Sequence, residues 1–170
     1  MEKLHKFATP LLASLAIVFA FNAQAVQRDI TITADVDASI DITNADGTAL
    51  PGAIKLQYIP GRGLAPSSIS TKIWSNSATS SVNISLLNAA QMRNTVTGTA
   101  VPLTVSLGAD ERALTTTATS FTYASLFPSG IVNGSNILPL KFAQATQGIL
   151  ATGTYSGVVS LLITQATTSP

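Results

Sequence analysis

The chain has no cysteine, one histidine and one tryptophan, and only 10% of its residues are charged. Each scarcity removes a class of function. Without cysteine there is neither a disulfide framework nor a thiolate nucleophile, and stability must come from packing and strand pairing. The histidine, His5, lies in a segment with the three parts of a secretory leader. Lys3 and Lys6 give a positive start, and an apolar run follows from Phe7 to Phe21. Asn22-Ala23-Gln24-Ala25 then supplies an A-x-A cleavage site. The apolar run is shorter than the ~20 residues a membrane span needs. Cleavage between Ala25 and Val26 is therefore expected, and His5 leaves with the leader. Ser-His-Asp and Cys-His catalysis are then excluded, and zinc-type sites lose their imidazole and thiolate ligands. No cofactor is expected.

An excess of charge of either sign is missing too. From residue 26 onward Lys55, Lys72, Lys141, Arg28, Arg62, Arg93 and Arg112 are cancelled by Asp29, Asp35, Asp37, Asp41, Asp46, Asp110 and Glu111. With no basic patch, nucleic acid is not an expected partner. A 3.6-residue apolar period sustained over ten residues is also absent, so helix should be minor. Only Ala89-Ala90-Gln91-Met92 suggests a single helical turn.

What is present is alternation. From Val26 to Ile42 the even positions are apolar (Val26, Ile30, Ile32, Ala34, Val36, Ala38, Ile40, Ile42) with one slip at Arg28, and the odd ones are polar or acidic. Successive side chains of a strand face opposite ways, so this segment has one apolar face and one wet face. It is far longer than the usual strand of about 5–6 residues. The rest is rich in Thr, Ser, Val, Ile, Leu and Gly, a β-favouring mixture. Turn clusters punctuate it at 44–47, 51–52, 60–63, 108–111 and 128–130. Strands are expected near 53–59, 69–75, 81–87, 101–107, 112–116, 119–123, 137–142 and 154–164, with 124–136 as loop. Many short strands with turns between them predict an all-β antiparallel sandwich in one domain. The final strand is apolar on both faces: Tyr155, Val159, Leu161 and Ile163 on one, Val158 and Leu162 on the other. The second set implies that a further layer or chain covers it.

The remaining candidate sites are few. Asp29, Asp35, Asp37 and Asp41 are the available carboxylate pairs, but their spacing puts them on the solvent face of one strand, as solubilising charges that discourage misregistered pairing. A D-x-D on a strand lacks the glycine turn and distal glutamate of a calcium loop. Asp110-Glu111 marks a hairpin turn. Asn83-Ile84-Ser85 and Asn133-Gly134-Ser135 match the glycosylation triplet, a pattern frequent by chance. Gly61-Arg62-Gly63 has no Lys-Ser pair or helix after it and is no phosphate loop. Trp74 and Tyr58 are candidates for stacking on a sugar, though single aromatics in strands are more often core or interface. Three readings follow: a strand-exchanging assembly subunit, a secreted β-sandwich carbohydrate-binding module whose first strand closes its own sheet, and an exported hydrolase, which the lack of His and Cys disfavours.

Particular residues favour the first. Val26-Gln-Arg-Asp-Ile-Thr-Ile-Thr-Ala-Asp-Val-Asp37, Asp46-Gly-Thr-Ala-Leu-Pro51 and Gly153-Thr-Tyr-Ser-Gly-Val-Val-Ser-Leu161 resemble the major pilins of α-type, alternate chaperone-usher fimbriae, such as colonisation-factor fimbriae and cable pili. Pro102–Ser106 and Leu114–Thr117 fall where that family has similar segments, and the resemblance covers essentially all of residues 26–170. It implies a fold and a role. Each subunit would be an immunoglobulin-like sandwich lacking one strand, exported through the periplasm of a Gram-negative bacterium to a surface fimbria that carries a tip adhesin subunit. A periplasmic chaperone would fill the gap until an outer-membrane usher exchanges it for the N-terminal strand of an identical subunit. Val26, Arg28, Ile30, Ile32, Ala34 and Val36 would then form the donor-strand interface, with residues 26–38 as donor and 39–170 as pilin domain. Arg28 matches a basic residue in similar pilins, and its stem can cover apolar surface while its charge reaches water. Val158, Ser160 and Leu162 would border the acceptor groove. The host receptor is not identified by any motif. Ala38 stands where the family often has proline, so the junction lacks the backbone restriction that a proline would bring.

Overall fold

A computed structural model of the chain describes residues 31–32 and 39–166. The chain divides into two units, residues 1–34 and 35–170. Of the first, only Thr31 and Ile32 are described, both exposed. The expected leader and the expected donor positions Val26, Arg28, Ile30, Ala34 and Val36 lie outside the described residues.

The second unit is built from antiparallel strands. Its larger sheet contains β1 (Ile40–Asn44), β4 (Ser67–Ser75), β6 (Gln91–Asn94), β7 (Ala100–Leu107), β8 (Arg112–Leu114), β10 (Leu138–Gln144) and β11 (Tyr155–Ser156). Their order is β1-β4-β10-β7-β6-β11, with β8 paired to β7. A smaller sheet runs β12-β5-β9, from β5 (Val82–Leu86), β9 (Thr119–Phe121) and β12 (Leu161–Gln165). β2 (Tyr58–Ile59) and β3 (Gly63–Leu64) form a short hairpin. The inner faces of the two sheets meet in one core that includes Ile73, Val82, Ile84, Val105, Leu107 and Leu140.

β4 shows how the pattern becomes a sheet. Thr71 and Ile73 are fully buried while Ser68 and Ser70 are exposed, the alternation of a strand with one core face. Thr71 tolerates burial because its hydroxyl donates to the Leu138 carbonyl at 2.6 Å. β1 repeats the alternation, with Ile40 and Ile42 packed on the core and Asp41 exposed. Turn chemistry closes the hairpins. Gly47 and Gly108 take positive φ, as does Glu111, whose carboxylate meets Lys141 at 2.6 Å.

Three expectations need correction. Ala89–Met92 forms no helical turn: Gln91 and Met92 belong to β6, and the Ala90 carbonyl accepts the Leu103 amide. Pairing with β7 outweighs the weak local preference for helix. The helix lies instead within the stretch read as loop or strand end. α1 (Tyr123–Leu126) is capped by Thr122 and seals the core with the buried Leu126 and Phe127. The last strand is two: β11 pairs with β6 in the larger sheet, β12 with β5 in the smaller, and residues 157–160 cross between them. Tyr155 consequently sits in a different sheet from Leu161. Of the strand expected at 53–59, only residues 58–59 are paired.

Candidate functional site

The two ends of the sandwich are finished differently. At one end α1 and the following loop close the core. Beyond Leu138, β4 finds a replacement partner in Ser135, whose amide donates to the Ile73 carbonyl and whose hydroxyl accepts the Ile73 amide. At the other end β1 runs out opposite Thr71, and residues 48–57 continue without regular structure. Pro51 and Gly52 break that segment, and neither suits a central strand.

A hollow of about 250 Å³ opens there. Its floor is the inner face of the larger sheet, with Ile69, Leu140, Phe142, Leu103 and Met92. One wall is the irregular segment with Leu50, Ile54 and Leu56; the other is Gly157, Val158, Val159 and Leu161. Of these aliphatic and aromatic side chains only Leu140 is fully buried. A lining of this kind is core surface that the described part of the chain leaves unfilled.

The second wall exists because of one residue without a side chain. Gly157 passes so close to β6 that a Cβ would collide with the Gln91 carbonyl, and this close passage lets the chain cross between the sheets.

Beside the hollow runs an unpaired strand edge. The Ser160 carbonyl accepts the Leu87 amide, and the Ala166 amide donates to Ser81. By two-residue alternation, the main-chain groups of Leu161 and Ile163 turn the other way, where no strand pairs with β12 among the described residues. The same two residues turn their side chains inward onto the core. Open main-chain groups and an apolar trough thus lie side by side, which is what an added strand requires.

The structure separates the three groove residues named from the sequence. Val158 lines the hollow and is 85% exposed. Ser160 and Leu162 are not in the lining; Leu162 lies on the outer face of β12 and is 46% exposed. Val159 and Leu161, on the opposite alternation, take their place in the wall. Of the donor positions, Ile32 alone is described, and its side chain is 89% exposed. Sequence reasoning missed the floor and the 50–56 wall. The only signal for the wall was the pair Ile54 and Leu56, two apart around an exposed Lys55.

Other candidates fare differently. Trp74 is half-buried against Gly134, and its indole N–H donates to the Thr43 hydroxyl at 2.8 Å, so its polar handle is already used. Tyr58 is 40% exposed on the β2 strand. Asp41 is exposed and accepts the Ile42 amide. Among the described residues no cluster of potential metal ligands is present.

Comparison with known proteins agrees with this architecture. The family model of the CS1 type fimbrial major subunit matches residues 26–164. A CFA/I fimbrial subunit of Escherichia coli is 39% identical over 160 residues, covering 90% of this chain and 93% of that protein. A CS1 fimbrial subunit of Escherichia coli is 30% identical over 162 residues, covering 91% and 94%. The solved structure of the CooA pilin subunit from enterotoxigenic Escherichia coli superposes with a TM-score of 0.66 at 26% identity, over 75% of this chain and 88% of that one. Match, fold and extent together place the chain in the CS1 type fimbrial major subunit family, as a structural subunit of a fimbria.

Proposed function

We propose that this subunit polymerises head to tail by strand donation, residues 26–38 of one copy filling the open end of the next. The observation that carries the reading is the apolar hollow lying directly against an edge of β12 that no strand among the described residues pairs. A donor adding to that edge would bond its main chain to Leu161 and Ile163 and turn alternate side chains into the hollow. Val26, Ile30, Ile32, Ala34 and Val36 have that spacing, and Arg28 would lay its stem on the rim. Full burial is worth about 1.5–3 kcal/mol for each large aliphatic, and each main-chain bond adds about 0.5–1.5 kcal/mol. The cost of ordering the strand offsets part of this. Because the donor surface and the acceptor surface differ, the contact is heterologous and extends into a filament instead of closing as a pair.

The same reading calls for helpers. An open hollow is an aggregation hazard during export, so a periplasmic chaperone would cover it after cleavage at Ala25, and an outer-membrane usher would exchange chaperone for donor strand. A tip adhesin subunit would end the filament. The test is assembly. Ile32→Asp should abolish filaments on producing cells, because an unpaired carboxylate cannot be buried cheaply, whereas Thr31→Asp, on the wet face, should leave them largely intact. Equal effects at the two positions, read by electron microscopy, would contradict the reading.

A further inference from the structure

The point where the N-terminal segment joins the domain body carries an unusual concentration of hydrogen bonds. Gln165 ends β12, and its side-chain amide reaches across to Ser39, just before β1, and to Ser75 of β4. One Nε2 hydrogen goes to the Ser39 carbonyl at 3.0 Å, the other to the Ser75 hydroxyl at 2.8 Å. The Ser39 amide donates to the Asn76 side-chain oxygen at 2.9 Å, and the Asn76 amide donates back to the Ser39 carbonyl at 3.3 Å. Ser39 is therefore held through both its amide and its carbonyl, immediately before β1 begins at Ile40.

We propose that Gln165 and Asn76 form an anchor that fixes the direction in which the N-terminal segment leaves the domain body, and so sets the stiffness of the joint between neighbouring subunits. The proposal rests on the strand-donation reading. In that reading Val36 is the last plug, three residues before Ser39, a span of at most about 10 Å when extended. So short a link transmits any rotation at Ser39 to the next copy in the filament. A proline at position 38 would stiffen the link through its own ring, but this chain has Ala38. With no proline ring there, the restraint nearest the link is the set of hydrogen bonds that hold Ser39. Gln165 suits the task because it belongs to β12, the strand whose Leu161 lines the hollow. The exit point of one joint and the acceptor edge of the next are tied by a single side chain.

The test uses assembled filaments from producing cells. Gln165→Leu keeps the size but removes both donors, and Asn76→Ala removes the side-chain acceptor of the Ser39 amide while keeping the backbone bond to the Ser39 carbonyl. Both should give filaments that bend more sharply, read as a shorter persistence length in electron micrographs. Tyr155→Phe removes a hydrogen bond to Ala151 away from the anchor and should leave that length unchanged. Unchanged persistence length in both anchor variants would overturn the proposal. Should neither variant assemble, amide exchange on the purified chain decides. Exchange quickened roughly tenfold at Ser39, and near wild type elsewhere, supports the anchor; uniform acceleration overturns it. Failure of strand donation itself would show separately, as assembly that survives Ile32→Asp.

Discussion

The closed and open ends of this sandwich contain the same kinds of residue in different states. Around Ile73, Leu126 and Phe127 the side chains are almost wholly buried, because α1 and the Ser135 loop replace strands that have ended. Around Ile69, Leu103 and Phe142 equally apolar side chains remain partly exposed, because nothing in the described chain replaces β1 where it stops. The chain caps one end with its own covalent structure, and its described residues leave the other open. Composition does not distinguish the two; connectivity does.

Substitutions can sharpen that contrast. Ile73→Ala, at the closed end, should destabilise the protein by about 2–5 kcal/mol whether or not it is assembled, measured by denaturant unfolding. Gly63→Ala should cost about 1–3 kcal/mol, because a Cβ there would collide with the Gly148 carbonyl and the backbone is in the positive-φ region. Phe142→Ala, at the open end, should cost the unassembled chain only part of the ~1.5–3 kcal/mol of a fully buried side chain. Its cost should rise in filaments, where the donor would complete the burial. Similar losses for Phe142→Ala in both states would erase the distinction between the ends.

The smallest expected effect concerns acid. Asp46 is held below its ordinary value of 3.8, chiefly by the Thr48 hydroxyl and then by the Thr48 amide, which donate to its carboxylate at 2.6 and 2.9 Å. A lowered pKa favours the folded state above the unfolded value, and the contribution fades as pH falls through the folded one. The group is fully exposed, so the difference between wild type and Asp46→Asn should be slight at neutral pH and should vanish below the carboxylate range. Thermal melts at both pH values would check it.

Much of the sheet was legible in the sequence because its strands alternate. Ile69-Ser-Thr-Lys-Ile73 and Val101–Leu107 advertise one buried face, and both are strands at nearly the expected positions. Failures came where distant partners decide. Ala89–Met92 looks helical until β7 lies beside it. Nothing in residues 154–164 shows that Gly157 must pass Gln91, so the division into β11 and β12 was hidden. The hollow was harder still. Its lining comes from six separate stretches of chain, and only the floor of the fold brings Met92, Leu103 and Phe142 together. The alternation before Ile40 suggested a donor; where a donor would sit required the tertiary structure.

The absence of cysteine makes the central claim directly measurable, since any disulfide must come from introduced residues. Leu161→Cys would be combined in turn with Ile30→Cys, Ile32→Cys and Ala34→Cys, and with Thr31→Cys as the wet-face control. Oxidised filaments would then be run on non-reducing gels. Bond formation needs Cβ atoms about 3.5–4.5 Å apart, so only a donor lying in the groove can form it. Strand donation is expected to give a ladder of covalent multimers for at least one even-position pair and none for Thr31→Cys. Monomers throughout, or bonds formed only within single chains, would contradict it.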